Sequence, residues 1–310
     1  MSDYRVLFIV GPGRSGSTLI GEILGQYPHV ANGGELLLWW MASRSTPARR
    51  CGCGRRLDEC DFWTAVSRQH PDLVSPSPEV VAELYRARHF RSWLSLWWRS
   101  RRGKITAPAV SHLMATLYAA IATVSQCSVI VDSSKSPGYR LLLSGTSIPV
   151  TTVHLQRDPR SVVNSWRQEK IDRLSPGDSL FAIHPLRATI EWIAQTLATR
   201  WLIAPRCRGS FSSLTYEDFV AAPRDTLRHL ATVAHLDSSA EPLLDDTRVT
   251  VTPTHNIAGN PDRRGDIQRE IAPHESWPTN LPTRWFVTTT LLCSPFLHRY
   301  RYPFSRGARS

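Results

Sequence analysis

The sequence carries few of the features that mark secreted or membrane proteins. Its first residues, MSDYRVLFIVGPG, contain a single apolar run that is too short for the hydrophobic region of a signal peptide, and no small-residue cleavage site follows it. No stretch is apolar over the length that a membrane span needs. Six cysteines among 310 residues are too few for a disulfide scaffold, which indicates a reducing compartment. We therefore expect a cytoplasmic protein with no integral membrane segment.

The sequence also lacks a concentrated basic region, although its net charge is positive. It contains 37 Lys and Arg residues against 26 Asp and Glu, a formal net charge of +11. Such an excess suits a nucleic acid, a membrane surface or a small polyanionic ligand. The basic residues are scattered in short clusters, and no helix-turn-helix or aromatic RNA-binding motif accompanies them. We expect no nucleic-acid partner, and the sequence leaves the oligomeric state open.

Short apolar runs alternate with helical patterns along most of the chain. These patterns predict strands at 5–10, 128–131, 150–155 and 211–214 and helices at 17–26 and 159–170. Fully apolar strands separated by helices are typical of a parallel sheet that is covered on both faces. Residues 39–126 show helical patterns alone. The sequence therefore predicts one α/β domain over residues 1–310, with a P-loop-like parallel sheet flanked by helices and a mostly helical insertion at 39–126.

The stretch FIVGPGRSGSTLI, which joins the first strand to the first helix, is almost a phosphate-binding P-loop. Gly11 and Gly16 have the P-loop spacing, and Thr18 occupies the position of the hydroxyl residue. The P-loop lysine is missing, because Ser17 stands in its place, and Arg14 lies inside the loop. Backbone N–H groups at the start of a helix form an anion site whatever the anion is. The pattern indicates such a site; the alternative is a glycine-rich turn with a solvent-facing Arg14.

A second segment, RDPRSVVNS, has the features of another anion site. Asp158 is a good N-cap and Pro159 suits the first helical position, so a helix begins where the third predicted strand ends. Arg157 at the end of that strand and Ser165 two turns into the helix, on the face shared with Ser161, can converge on one point. Ligands of open α/β sheets bind at this edge. Taken alone, the segment is also compatible with a plain capped helix.

Together these segments resemble a known enzyme family. GPGRSGSTLIGEIL is similar to the 5'-phosphosulfate loop, and RDPRSVVNS to the 3'-phosphate motif, of sulfotransferases that use 3'-phosphoadenosine 5'-phosphosulfate (PAPS). The resemblance continues through VDSSKSP, LTYEDF and HNIAGNPDRR, and it is closest to the bacterial and the carbohydrate or tyrosyl-protein branches. It implies transfer of a sulfuryl group from PAPS to a hydroxyl of a small-molecule, glycan or natural-product acceptor. It also implies 3',5'-bisphosphoadenosine (PAP) as the product and no metal ion.

The resemblance also implies which residues bind the donor. The loop residues that cradle the phosphosulfate are Gly13, Arg14, Ser15, Gly16, Ser17 and Thr18. Arg157 and Ser165 hold the 3'-phosphate, which distinguishes PAPS from ATP. The segment GNPDRR resembles a C-terminal loop that closes over the same phosphate, with Asn260 and either Arg263 or Arg264 in contact.

Two further residues are implied to act on the transferring group. Glu35, in NGGELL, takes the position of a catalytic glutamate that accepts the proton of the acceptor hydroxyl; the alternative is a helix-start glutamate that stabilises the helix dipole. Lys135, in DSSKSP, takes the position of a lysine that contacts the sulfuryl group or the leaving oxygen; the alternative is a surface lysine. The YEDF segment that begins at Tyr216 is expected to orient a strand-to-helix junction.

Other features favour different interpretations. VIVDSS resembles a strand that ends in the magnesium-binding aspartate of an NTPase, but without the P-loop lysine such a site has lost its partner. An ATP-dependent kinase or a non-catalytic nucleotide-binding protein is therefore the alternative function. Cys51, Cys53 and Cys60 suggest zinc, but a structural zinc site needs four ligands and no fourth lies at standard spacing. We expect a loop without metal there.

Overall fold

A computed structural model describes residues 4–46, 48–102, 108–168, 182–207, 209–243, 245, 247–257, 268–273 and 276–306. Within these residues the strands are β1 (Arg5–Val10), β2 (Val30–Gly34), β3 (Val129–Lys135), β4 (Val150–Gln156), β5 (Phe211–Thr215), β6 (Arg248–Thr250) and β7 (Gln268–Glu270). The α-helices are α1 (Ser17–Leu24), α2 (Trp39–Arg44), α3 (Asp61–Arg68), α4 (Pro71–Val74), α5 (Pro78–Arg86), α6 (Phe90–Arg101), α7 (Pro108–Ser125), α8 (Pro137–Leu143), α9 (Pro159–Arg167), α10 (Pro185–Ala198), α11 (Tyr216–Ala221), α12 (Pro223–Ala234), α13 (Trp277–Asn280) and α14 (Thr283–Arg299).

The central sheet has five parallel strands in the order β2-β3-β1-β4-β5. β1 lies in the middle and pairs with β3 and β4, so that Leu7 has Val131 on one side and Thr151 on the other. All residues of β1 after the first are buried, as expected of a strand that is covered on both faces. The predicted α/β fold, a parallel sheet flanked by helices, is thus confirmed.

The two faces of the sheet carry two separate hydrophobic cores. Val6, Phe8 and Val10 belong to one core and Leu7 and Ile9 to the other, because side chains alternate along a strand. The first core contains side chains of the helical region between β2 and β3, and the second contains side chains of α1 and α12. A fully buried side chain of this size contributes about 1.5–3 kcal/mol. The buried side chains of β1 therefore hold the start of the following loop in a fixed position.

β2 is the strand of the five-stranded sheet that the sequence pattern does not predict. Its sequence, VANGG, ends in two glycines and has no run of β-branched residues. Backbone pairing with β3 at the edge of the sheet holds it instead. The predicted strands are all present, and β3 extends beyond the predicted bound to Lys135. Helix α1 ends earlier than predicted, at Leu24, and α9 ends at Arg167, while residues 169 and 170 lie outside the described residues.

Among the described residues, one helix corrects an expectation about apolar length. The sequence shows no obvious membrane-spanning segment, yet α7, with 18 residues and a mean hydropathy of 1.2, is long and apolar enough to cross a membrane. Its buried side chains, which include Leu113, Leu117 and Ile121, belong to the first of the two cores. The helix also packs against α3, α8 and β3. These contacts account for its apolar composition as that of a core helix.

Candidate active site

The loop after β1 packs tightly because its glycines lie where side chains do not fit. Gly11 has a φ of 145°, and a Cβ atom there would lie 2.1 Å from the carbonyl oxygen of Leu155 in β4. Gly16 has a φ of 89°, and a Cβ atom there would lie 2.3 Å from Cδ2 of Tyr216. Glycine is the residue that adopts such φ values without strain. The glycines of the P-loop-like motif are therefore required by contacts with β4 and α11.

Arg14 lies in the middle of this loop in a left-handed conformation, with a φ of 68°. Its guanidinium lies over Trp166 of α9, with Cζ 4.7 Å from the ring centroid. Gly13 passes close to the same ring, since a Cβ atom there would lie 2.8 Å from Cζ2 of Trp166. Stacking on an aromatic face fixes the plane of a guanidinium and is itself attractive. Trp166 therefore positions the Arg14 side chain beside α9.

Arg157 joins the two segments for which the sequence predicts anion sites. Its Nη1 donates a hydrogen bond to the carbonyl oxygen of Arg14 at 3.1 Å. Its Cζ lies 4.6 Å from the ring centroid of Tyr216. Ser165 lies on α9 one residue before Trp166 and is partly exposed. The glycine loop and the RDPRSVVNS segment are thus in direct contact.

The start of α1 completes the loop. Ser15 is 1% exposed, and its Oγ has no hydrogen-bond partner among the described residues. Ser17, the first residue of α1, is also buried, whereas Thr18 is partly exposed. The first N–H groups of a helix have no partner within the helix and form the positive end of its dipole. An unpartnered buried hydroxyl beside such a helix start is expected of a site that binds an anion.

A buried polar cluster fixes the start of α9. The Asp158 N–H donates to Oε1 of Glu217 at 2.9 Å, and the Tyr302 hydroxyl donates to Oε2 of Glu217 at 3.0 Å. Burial raises the pKa of Glu217. Arg160 and Asp158 form an ion pair of 2.6 Å whose side chains are almost fully buried. Because Arg157 directly precedes Asp158, these contacts also hold the Arg157 backbone. Glu217 belongs to the YEDF segment, so this segment helps to position Arg157.

Glu35 and Lys135 meet at the carboxyl ends of β2 and β3. Oε1 of Glu35 accepts a hydrogen bond from Nζ of Lys135 at 2.5 Å, and the side chains are 19% and 14% exposed. The Lys135 carbonyl accepts a hydrogen bond from the Gly11 N–H at 3.2 Å. The pair is thus anchored to the first glycine of the loop. Ligands of parallel sheets bind at this edge, so both residues lie where a catalytic role is possible.

Asp132, the residue that resembles the magnesium-binding aspartate of NTPases, is fully buried and held by its neighbours. Oδ1 accepts hydrogen bonds from the N–H and the hydroxyl of Ser134 at 2.8 Å and 2.5 Å, and Oδ2 accepts one from the Tyr118 hydroxyl. Burial raises the pKa of Asp132 to about 6. The Ser134 hydroxyl in turn accepts a hydrogen bond from the Leu37 N–H at 3.0 Å. The carboxylate therefore holds β3, α7 and the segment after Glu35 together, which argues against the kinase alternative.

The three cysteines of CGCGRRLDECDFW are joined by a fourth side chain that can bind metal. The ligand atoms of Cys51, Cys53, Cys60 and His255 all lie within 4.8 Å of one another. The expectation of a metal-free loop rests on the lack of a fourth ligand at standard spacing, and the fold brings a possible fourth ligand from far away in the sequence, since His255 follows Cys60 by 195 residues. Burial raises the pKa values of Cys51 and Cys60 and lowers that of His255.

The other predicted site residues fall into two groups, those outside the described residues and those within them. Asn260, Arg263 and Arg264 lie outside the described residues. The rest lie in the loop after β1 and the first turn of α1, at the turn into α9 and within α9, or at the ends of β2 and β3. A cavity of about 970 Å³ between β5 and residues 297–304 is lined by none of them, and we do not assign it to the donor site.

The contacts of two aromatic residues with the arginines of the site are not predicted from the sequence. Trp166 and Tyr216 fix the two arginines of the site by stacking. Their nearness to recognisable segments was the available signal, because Trp166 follows RDPRSVVNS directly and Tyr216 begins YEDF. His255 gives no such signal toward the cysteines, since only the folded chain brings them together.

Other solved structures share this architecture. No family model and no curated protein matches the chain. The sulfotransferase domain of the Synechococcus PCC 7002 olefin synthase is similar, with a TM-score of 0.50 and 21% sequence identity over 96% of each chain. Sulfotransferase STF9 from Mycobacterium avium is similar with a TM-score of 0.50 and 12% identity, over 99% of this chain and 79% of the other. The resemblance to sulfotransferases is thus confirmed at the level of the fold, and the chain has the sulfotransferase fold.

Proposed function

We propose that the protein is a PAPS-dependent sulfotransferase that acts on a hydroxyl of a small-molecule, glycan or natural-product acceptor. The observation that carries the proposal is the 3.1 Å hydrogen bond from Arg157 Nη1 to the Arg14 carbonyl. It supports the proposal because a second guanidinium lies beside the loop that would bind the 5'-phosphosulfate. A nucleotide with charged groups at both its 5' and 3' positions needs two such cationic positions close together.

The residues present fit a nucleotide of this kind. The glycines keep the loop backbone free of side chains, and the buried Ser15 hydroxyl has no hydrogen-bond partner among the described residues. Residues 13–18 would hold the phosphosulfate, and Arg157 with Ser165 would hold the 3'-phosphate. The GNPDRR segment would add the contacts implied by the resemblance. PAPS would supply an activated sulfuryl group at this site.

Arg14 and the N–H groups at the start of α1 stabilise the leaving phosphate. Negative charge would collect on the bridging oxygen during transfer, and these fixed donors beside it would lower the barrier. One such donor contributes ~2.7–4 kcal/mol in enzymes where it has been removed. The stacking of Arg14 on Trp166 supplies the fixed position that this effect requires.

Glu35 accepts the proton of the acceptor hydroxyl in this proposal. When the acceptor oxygen bonds to sulfur and the phosphate oxygen leaves, Oε2 of Glu35 would take the proton of the hydroxyl. Lys135 donates to Oε1 and so holds the carboxylate in position. Its positive charge also stabilises negative charge on the transferring group.

The alternative functions have less support. A kinase needs a magnesium ligand and the P-loop lysine, but Asp132 is held by Ser134 and Tyr118, and Ser17 replaces the lysine. A non-catalytic nucleotide-binding protein would bind the donor without turnover. The cytoplasmic location expected from the few cysteines belongs to the same proposal.

Isothermal titration calorimetry with PAP and 5'-AMP tests the proposal, because these nucleotides differ only in the 3'-phosphate. We expect PAP to bind roughly 10-fold more tightly or better, with no dependence on magnesium. Equal affinities, or a preference for magnesium-bound ATP, would overturn the proposal. Incubation with radiolabelled PAPS and a panel of glycans, glycolipids, phenols and alcohols then separates an enzyme from a binding protein.

A further inference from the structure

Three cysteines and one histidine outside the proposed donor site have the spacing of a metal centre. Cys53 Sγ lies 3.7 Å from Cys60 Sγ, and Nδ1 of His255 lies 3.7 Å from Cys51 Sγ and 3.3 Å from Cys60 Sγ. In a tetrahedral zinc site these edges are about 3.8 Å between two sulfurs and about 3.6 Å between sulfur and nitrogen, given the usual bond lengths. We propose that the four side chains bind one structural zinc ion.

The backbone of residues 51–60 brings the three cysteines close together. Residues 51–55 form a tight turn in which the Cys51 N–H donates to the Arg55 carbonyl at 2.8 Å and the Gly54 N–H donates to the Cys51 carbonyl at 2.9 Å. Gly54 has a φ of 89°, which favours glycine. Cys60 is the N-cap of α3, where the positive end of the helix dipole favours a thiolate. One short segment thus supplies three sulfur ligands.

His255 is oriented by contacts that do not use Nδ1. Its ring stacks on Phe62, with centroids 4.7 Å apart and an angle of 9° between the planes. Its carbonyl accepts a hydrogen bond from Trp63 Nε1 at 2.9 Å, and the carbonyl of Asn256 accepts one from the Gly52 N–H at 2.9 Å. A histidine whose ring orientation is fixed by its surroundings is typical of metal sites.

The set of ligands points to zinc in a structural role. Soft sulfur ligands in tetrahedral geometry select zinc among the common divalent metals. All four positions are filled by protein atoms, which is the arrangement of structural sites, whereas catalytic zinc keeps one position open. Binding releases the thiol protons of the three cysteines to solvent as the metal takes their place.

The proposed ion lies next to the backbone that holds Glu35. Ile257, two residues after His255, donates from its N–H to the Gly33 carbonyl at 3.0 Å and accepts from the Glu35 N–H at 2.8 Å. Gly34 and Ile257 form a parallel bridge at this point. Zinc would therefore link residues 51–60 to residues 255–257, which pair with the end of β2. Loss of zinc is expected to speed hydrogen exchange of the Glu35 N–H.

A second cluster of possible ligands, at His70, Asp72 and His112, provides a control. Its three members are partly or fully exposed. Oδ2 of Asp72 lies 3.5 Å from His70 Nδ1 and 3.5 Å from His112 Nε2. Exposed histidines around a carboxylate need no ion to explain them, and we assign none.

Metal analysis of the wild-type full chain is the first test. Protein stripped with a chelator, returned to excess ZnCl₂ and desalted is expected to retain one zinc ion per chain. Cobalt in place of zinc is expected to give the charge-transfer and d–d absorption of a tetrahedral thiolate site. Removal of zinc is expected to lower the Tm and to speed exchange of the Glu35 N–H, neither of which depends on activity.

Two variants test the set of ligands. Cys60→Ser and His255→Ala are each expected to weaken zinc binding, measured by competition with a chromogenic chelator, by at least ~10-fold. Cys127→Ser removes a buried thiol elsewhere, and His112→Ala removes a member of the second cluster. Both control variants are expected to keep the zinc affinity of the wild type.

Several outcomes would overturn the proposal. One is wild-type protein that retains no zinc after reconstitution. Others are unchanged affinity in Cys60→Ser or His255→Ala, or weakened affinity in His112→Ala. A disulfide between Cys53 and Cys60, seen as two fewer titratable thiols in protein purified from the cytoplasm without reductant, would also overturn it. Because the first measurements use wild-type protein, a variant that fails to fold leaves the test intact.

Discussion

Arg157 donates a hydrogen bond from Nη1 to the carbonyl oxygen of Arg14 at 3.1 Å, although the two residues are 143 positions apart in the sequence. Each arginine also stacks on an aromatic ring, Arg157 on Tyr216 and Arg14 on Trp166. Both guanidinium groups are therefore held in position by protein contacts. Groups that are fixed before a ligand arrives lose less conformational entropy on binding, which favours affinity.

Arg157→Ala is expected to weaken PAP binding by roughly 10- to 150-fold. The reason is that a hydrogen bond to a charged group contributes ~1.5–3 kcal/mol, and the proposed contact with the 3'-phosphate is lost. Binding of 5'-AMP, which has no 3'-phosphate, is expected to change much less. Calorimetry of both nucleotides with both proteins gives the comparison.

The use of 5'-AMP also controls for damage to the loop, because Arg157→Ala removes the contact with the Arg14 carbonyl. A disturbed loop would weaken both nucleotides alike. Arg187→Ala, which removes an exposed arginine paired with Glu191 on α10, controls for the loss of one positive charge. An equal loss of affinity for PAP and 5'-AMP would mean that Arg157 supports the loop and does not read the 3'-phosphate.

Arg14→Ala is expected to lower kcat by about 10²- to 10³-fold, with a smaller effect on PAP affinity. The difference arises because the proposed contact strengthens as the leaving oxygen gains charge. Arg14→Lys keeps the positive charge and is expected to retain more turnover than the alanine variant. Single-turnover transfer from labelled PAPS measures the chemical step. If both variants changed only the KM for the donor, the role assigned to Arg14 would be wrong.

Gly16→Ala is expected to destabilise the fold and to weaken PAP binding, because its Cβ atom would lie 2.3 Å from the Tyr216 ring. Gly209→Ala is the matched control, since Gly209 has a φ of 88° but a Cβ atom there would have no described atom within 4 Å. Both variants carry the strain of a left-handed alanine, ~1–2 kcal/mol. The steric clash should cost Gly16→Ala about 1–3 kcal/mol more in urea denaturation. Equal losses would show that the loop can move away from Tyr216.

Local sequence patterns predict the central part of the fold well. β1 and β4 are rich in β-branched and apolar residues, and every residue after the first of each strand is buried, so their composition indicates a covered parallel sheet. Asp158 and Pro159 mark the start of α9, and the Asp158 side chain accepts a hydrogen bond from the Arg160 N–H as an N-cap should. These features depend on neighbours in sequence, which is why a single sequence reveals them.

Features that depend on distant contacts are not predictable in this way. β2 is held by pairing with β3 and carries no strand pattern of its own. His255 comes to the cysteines from another part of the chain, and no local spacing rule finds such a ligand. The ion pair of Glu35 with Lys135 likewise forms because β2 and β3 end side by side. The resemblance to sulfotransferases named both residues, but not their contact.

Glu35→Gln is expected to lower sulfuryl transfer by ~10²- to 10⁴-fold, since the amide keeps the shape of the side chain but does not accept a proton. The amide oxygen can still accept the hydrogen bond from Lys135, so PAP affinity and Tm are expected to stay near those of the wild type. The assay uses an alcohol acceptor, because a phenol loses its proton with little help. Transfer from labelled PAPS is compared under saturating donor.

Glu191→Gln, which neutralises a glutamate in an ion pair with Arg187, is the matched control and is expected to keep wild-type turnover. Near wild-type turnover of Glu35→Gln on an alcohol would show that Glu35 serves to pair with Lys135 and is not the base.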